Sequence, residues 1–218
     1  MLFVLGLGSG CAFTQMETSR QLSGGEWVVS GSLDVPGGLE SYDPYLTWVE
    51  SRAFTTRMSG QATYGLGGRG DLSVHMGSTR FTRNFGASGR VYPTKWLNLG
   101  LQADYIDLMR AVTATPRITT TTTDERWFYG GLQTMFLLGT EPEERFLSFV
   151  GGTAGIIAGA ERVVDWFPYP LGFQVEGTLA PFYYGYSADE QGRRGGTFWS
   201  EQRTAGLYQL GLGVNLRY

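Results

Sequence analysis

The chain of 218 residues is poor in cysteine, histidine and charge, and it has no long apolar run. Its one cysteine, Cys11, excludes an internal disulfide and any cysteine-rich metal site. One histidine, His75, does not supply the cluster of ligands that a metal needs, so no metal and no cofactor are expected. Nowhere do eighteen apolar residues stand together, which rules out a helical membrane span. Charged residues make up 17%, where a soluble protein carries about a quarter. Net charge is −3 with no Lys/Arg cluster, which argues against nucleic acid as a partner.

What is abundant is glycine, with 33 copies, and aromatic residues at 14%. The last eleven residues, Tyr208 to Tyr218, put large apolar side chains on every second position: Tyr208, Leu210, Leu212, Val214, Leu216 and Tyr218. Gln209, Gly211, Gly213, Asn215 and Arg217 fill the positions between. Successive side chains of a strand face opposite ways, so this strand has an apolar face and a small, polar one. Similar alternation covers Glu26 to Asp34, Gly60 to Leu66, Asp71 to Gly77, Phe85 to Val91 and Leu97 to Tyr105. Less clearly sided segments run from Arg126 to Leu138, Phe146 to Gly159 and Phe167 to Tyr186. Gly67-Gly68 between two alternating runs is a strong hairpin signal, and the five threonines of Ala111 to Glu125 read as a polar loop.

The fold class is therefore all-β, an antiparallel up-and-down barrel. With both termini on one side the strand number is even. Splitting Phe167 to Tyr186 near Gly177 turns the nine segments into the favoured ten; rejecting a weak segment gives eight. Short turns at Gly67, Pro93 and Pro142 alternate with longer connections at Pro36 to Pro44, Ala111 to Glu125 and Ala160 to Trp166, and apart from a brief connection near Thr79-Arg80 this is the rhythm of a membrane barrel. Trp27, Tyr92, Trp96, Tyr105, Trp127, Tyr129, Trp166, Tyr169, Tyr183, Tyr184, Tyr186, Trp199 and Tyr218 fall near strand ends, where rings with a polar tip form interfacial girdles.

Two stretches resemble bacterial envelope signals. Leu210, Leu212, Val214, Leu216 and Tyr218 look like the closing strand of outer-membrane β-barrels, which implies insertion by the barrel-assembly machinery. Apolar Met1 to Leu7 followed by Gly8-Ser9-Gly10-Cys11 resembles a lipobox, although Gly8 stands where that pattern has leucine. The resemblance implies cleavage before Cys11, its acylation, and an outer-membrane address because Ala12 rather than Asp follows. Residues 1–10 are thus expected to be a signal peptide truncated at its start, 11–24 a lipid-anchored periplasmic tether, and 25–218 the barrel. Outer-membrane lipids and lipopolysaccharide are the implied surroundings, with both termini periplasmic.

The polar face carries Glu26, Arg57, Gln61, Asp71, Ser73, His75, Asn84, Arg90, Gln102, Asp104, Glu176 and Arg217. A barrel of eight to ten strands encloses room for side chains or one small ligand. Unpaired charge there is costly, so Arg–carboxylate pairs are expected to fill the lumen. The leading expectation is a non-enzymatic structural or envelope barrel; a narrow pore or carrier for a small or hydrophobic solute is the alternative. His75 with Asp71 and Ser73 on one strand face suggests a second alternative, a lipid-modifying hydrolase, although residues two apart on a strand sit about 7 Å from each other.

Overall fold

The computed structural model describes residues 21–42, 47–51, 56–78, 83–107, 111–121, 128–139, 149–165, 168–187 and 203–218. Eleven strands follow one another: β1 (Trp27–Tyr42), β2 (Thr47–Ser51), β3 (Arg57–Gly65), β4 (Gly70–Ser78), β5 (Arg83–Thr94), β6 (Leu97–Ile106), β7 (Ala111–Thr121), β8 (Phe128–Gly139), β9 (Phe149–Val164), β10 (Leu171–Ser187) and β11 (Arg203–Arg217). From β3 onward each strand pairs antiparallel with the next in a meander, and β11 returns to pair with β1. Both β2 and β3 lie against β1, β2 along Gly38–Tyr42 and β3 along Trp27–Asp34, so the eleven strands fill ten places in a closed barrel. At the seam, Trp27 N donates to Tyr218 O at 3.2 Å and Tyr218 N donates to Trp27 O at 2.9 Å.

Ten places were expected, but the tenth is not half of Phe167–Tyr186. That region is one strand, β10, with a ladder irregularity between Leu179 and Phe182. Pro181 lies there and has no N–H to give to the ladder. The missed strand is β7, placed in the expected threonine loop. Threonine is β-branched and suits a strand, and its hydroxyl lets it face a polar interior. Thr113, Thr115, Arg117 and Thr119 are buried inside, whereas Val112 and Ile118 are exposed outside. Pro116 added to the disguise, and the ladder to β8 skips Thr115 and Pro116.

Missing β7 also shifted the order of the connections. Links following β3, β5, β7 and β9 lie at the end that holds Trp27 and Tyr218, here the terminus end. The connection with Pro142, between β8 and β9, is at the far end, and β9 extends to Val164 through the expected connection at Ala160. Likewise β1 continues through Pro36 to Tyr42. The Gly67-Gly68 hairpin is as read, with both residues at positive φ (86° and 75°), which glycine adopts without steric cost.

The two faces of the wall are chemically opposite. Outside, Leu72, Val74, Met76, Leu101, Leu132, Phe136, Val175, Leu210 and Leu212 are exposed, Val74 at 63% and Leu132 at 62%. Inside, Asp71, Ser73, Arg90, Gln102, Asp104, Gln133, Glu161, Gln174, Glu176, Asn215 and Arg217 are buried, Glu176 and Asn215 completely. A soluble calyx has the reverse arrangement. Around the terminus end, Trp27 and Tyr64 pack with ring centroids 4.9 Å apart, Tyr169 and Tyr218 at 4.8 Å, and Trp96 is exposed. Two expected girdle members are not in the girdle, because Tyr92 and Tyr129 occupy inward positions and are buried. Trp127, Trp166 and Trp199 lie outside the described residues, as do the side chains of Tyr183, Tyr184 and Tyr186.

Candidate functional site in the barrel lumen

The interior polar side chains form three groups, each set by strand register. Nearest the terminus end, Asp71 on β4 faces Arg90 on β5. Arg90 donates through Nε at 3.0 Å and Nη2 at 2.5 Å, a bidentate pair of the strong, charge-assisted kind. The Tyr92 hydroxyl donates to the same carboxylate, and the Arg90 guanidinium lies 5.7 Å from the Tyr92 ring centroid. Segment 21–26 lies across this end: Gln21 Nε2 donates to Thr94 O at 2.7 Å and Gly68 N to Leu22 O at 3.2 Å. Leu22 is 1% exposed, in space left by Gly65, where a Cβ would meet Leu22 Cβ at 2.8 Å.

The second group contains His75. Ladder pairing aligns His75 on β4 with Gly86 on β5, and Gly86 with Asp104 on β6. Because Gly86 has no side chain, the imidazole reaches across β5, and Nε2 comes within 2.6 Å of Asp104 Oδ1. An ionised carboxylate only accepts hydrogen bonds, so the imidazole donates through Nε2 wherever Asp104 is ionised. Asn84 Nδ2 donates to Asp104 Oδ1 at 3.0 Å, while Gln102 Nε2 and Thr113 Oγ1 donate to Oδ2, the latter at 3.4 Å. His75 and Asp104 side chains are only 6% and 5% exposed.

The third group spans β7 to β11 and repeats the device. Tyr129, Gly159 and Glu176 align across β8, β9 and β10. A Cβ on Gly159 would run into the Tyr129 ring. Across that gap the Tyr129 hydroxyl donates to Glu176 Oε2 at 2.5 Å and accepts from Gln174 Nε2 at 2.6 Å. Glu161 accepts from Asn215 Nδ2 at 2.9 Å and from Arg217 Nη2 at 2.7 Å. Arg117 lies 4.0 Å from Glu176 Oε1 and donates to Gln133 Oε1 at 3.2 Å. Apart from this group, Arg57 on β3 pairs with Asp34 on β1 at 3.8 Å.

Asp71, Ser73 and His75 share an inward face but not a site. Asp71 belongs to Arg90 and Tyr92, His75 to Asp104, and the Ser73 hydroxyl lies 2.9 Å from that of Ser88. The imidazole has a carboxylate to orient it, and no hydroxyl of a described residue lies on its other nitrogen, where acyl transfer would need one. Nor do three His, Cys, Asp or Glu side chains among the described residues converge in a way that would hold a metal ion. Sequence reasoning put Asp104 on the polar face without joining it to His75. The pairing needed the register across Gly86, which alternation along one strand does not give. Tyr129 was missed as a lumen group, though its alternation with Gly131 and Gln133 marked its face. Leu210, Leu212, Val214 and Tyr218 line the outer face of β11 with Leu216 partly covered; Cys11 lies outside the described residues.

No family model matches this chain, and no curated protein matches it. Among solved structures it is similar to the outer membrane protein OprG from Pseudomonas aeruginosa, at 10% identity and a TM-score of 0.39 over 91% of this chain and 98% of that one. It is similar also to the outer membrane protease OmpT from Escherichia coli, at 8% identity and a TM-score of 0.43 over 93% and 99%. Neisserial surface protein A gives 10% identity and a TM-score of 0.35 over 89% and 99%. Likenesses of this degree say nothing about activity.

Proposed function

We propose that this chain is an integral outer-membrane β-barrel of a Gram-negative bacterium, with a lumen closed by side chains and a structural, adhesive or envelope-maintenance role rather than a catalytic one. The observation that carries this reading is the opposition of the two faces, apolar side chains exposed outside and charged or amide groups buried inside. A closed barrel is one of only two backbone arrangements that satisfy every peptide group in hydrocarbon. The shorter strands β3 and β4, at nine residues, and β6, at ten, match the roughly 9–11 residues that cross a bilayer. Ion pairs and amides packed into the interior, with Leu22 at one mouth, support a non-conducting lumen.

In this reading both termini are periplasmic and Cys11 is the acylated anchor. Leu210, Leu212, Val214, Leu216 and Tyr218 are the surface offered to the barrel-assembly machinery, and lipopolysaccharide surrounds the far end. Fractionation of expressing cells, heat-modifiable gel migration and planar-bilayer recording test the scheme together. The expected result is recovery with the outer membrane, a migration shift on boiling, and no stable conductance. A detergent-free soluble monomer would overturn the membrane reading, and steady channels would overturn the closed lumen and favour the narrow pore.

A further inference from the structure

We infer that the outer wall over β8 to β11 binds one phospholipid, its phosphate on Arg162 and an acyl chain in the groove beside it. The inference rests on the membrane reading above. Among the described side chains that face out from the wall, Arg162 is the only charged one placed inside the strand ends; Arg83 begins its strand at the far rim. Exposed Arg162 makes no ion pair or hydrogen bond with another described residue. Cross-strand pairing puts it beside Phe173, which pairs in turn with Val214. This row lies one step further from the terminus end than the Val164–Leu171–Leu216 row, just inside the Tyr169–Tyr218 girdle.

A cavity of about 550 Å³ opens here, lined chiefly by Phe128, Ala160, Arg162, Phe173, Val175 and Leu212. Its shape follows from the sequence of the outer face. The next row away from Arg162 is Phe128–Ala160–Val175–Leu212, and the one beyond is Gly130–Ala158–Gly177–Leu210. Ala160 stands low in the cavity between the large Phe128, Phe173 and Leu212, and Ala158, Gly130 and Gly177 carry the run of small outer residues on from it. The distance from Arg162 through Ala160 to Ala158, where the run of small outer residues continues beyond the cavity, is about 13 Å along the strand.

Charge and shape select the occupant. A guanidinium with no partner among the described residues, set in apolar wall, is tolerated near an interface, where its long stem lets the head reach the headgroups. Guanidinium matches phosphate oxygens in bidentate geometry, and an apolar trough leading from it toward mid-membrane suits a hydrocarbon chain. With the terminus end in the periplasmic leaflet, the molecule bearing both groups is a phospholipid.

Native mass spectrometry of the delipidated barrel, titrated with dioleoyl phosphatidylglycerol, tests this with Arg162→Gln and Gly177→Leu. A Cβ at Gly177 meets nothing nearer than 3.9 Å, so the leucine fills the trough without displacing backbone. Every variant is first inserted into vesicles and checked for heat-modifiable migration. Failure of the wild-type chain to insert would count against the membrane reading itself. Given insertion, one lipid is expected on the wild type, with affinity at least tenfold weaker in each variant. Dioleoylglycerol, which has chains but no phosphate, should bind Arg162→Gln and wild type equally weakly. Unchanged retention in Arg162→Gln, or equal retention in Gly177→Leu, would overturn the site. Preferential capture of lipid A over phosphatidylglycerol would overturn the phospholipid assignment.

Discussion

Replacing Gly86 by alanine adds one methyl group at the point where three strands share a polar contact. The new Cβ would lie 2.6 Å from both Asp104 Oδ1 and the Ala103 carbonyl oxygen, and closer still to His75 Nε2. No real Cβ sits so close, so the imidazole has to withdraw, and the 2.6 Å contact with Asp104 is lost. Asp104 keeps Asn84 and Gln102 as donors, so its charge is not stranded. Removing a hydrogen bond to a charged group costs about 1.5–3 kcal/mol. Crowding against the Ala103 carbonyl, which is backbone and cannot rotate away, raises the expected loss to about 2–4 kcal/mol. That is roughly a thirty- to several-hundred-fold fall in the folding equilibrium. Reversible urea unfolding from phospholipid vesicles, followed by tryptophan fluorescence, reads it directly. Gly31→Ala is the control, because a Cβ there meets nothing within 4 Å and the change should stay within about 0.5 kcal/mol. In a His75→Ala background, Gly86→Ala should cost less by the lost pair, about 1.5–3 kcal/mol. A Gly86→Ala barrel as stable as Gly31→Ala, or one equally destabilised with and without His75, would refute the reasoning.

Other outcomes follow from the same geometry. Arg90→Ala strands the buried Asp71 carboxylate and should cost about 3–5 kcal/mol, whereas Arg90→Met combined with Asp71→Leu should recover most of that; the same unfolding assay distinguishes them. Tyr129→Phe removes the hydroxyl shared by Glu176 and Gln174 and should cost about 1–3 kcal/mol, with migration on gels still heat-modifiable. His75→Ala should leave any esterase signal of the purified barrel unchanged, and a loss specific to this variant would revive the hydrolase alternative. Palmitate labelling of expressing cells should disappear in Cys11→Ser.

Much of this architecture is legible along single strands. The alternation at Leu97–Tyr105 and Leu210–Tyr218 gave both the strand and its apolar face, because a period of two survives without knowledge of neighbours. β7 was hidden because threonine is at once a strand former and a polar residue, so hydrophobic contrast is weak and Pro116 argues against a strand. The lumen was legible as a composition but not as a set of pairs. Which acid meets which cation depends on register between strands, and His75 finds Asp104 only because Gly86 stands between them. Proximity to strand ends suggests interfacial rings at Tyr92 and Tyr129, whereas parity with Arg90 and Gln133 decides the face.

The seam between β1 and β11, from Val28–Arg217 to Tyr42–Arg203, has a consequence for the order in which the barrel can be made. Every other strand finds a partner a hairpin away, soon after it is synthesised. For one edge of β1 the partner is the last segment of the chain, so loop closure comes before that contact is rewarded, and long-range pairing of this kind is slow. Until β11 arrives, a long row of β1 peptide groups stands open as a template for any strand that reaches it first. Making the barrel therefore includes keeping that edge apart from other chains until β11 closes it.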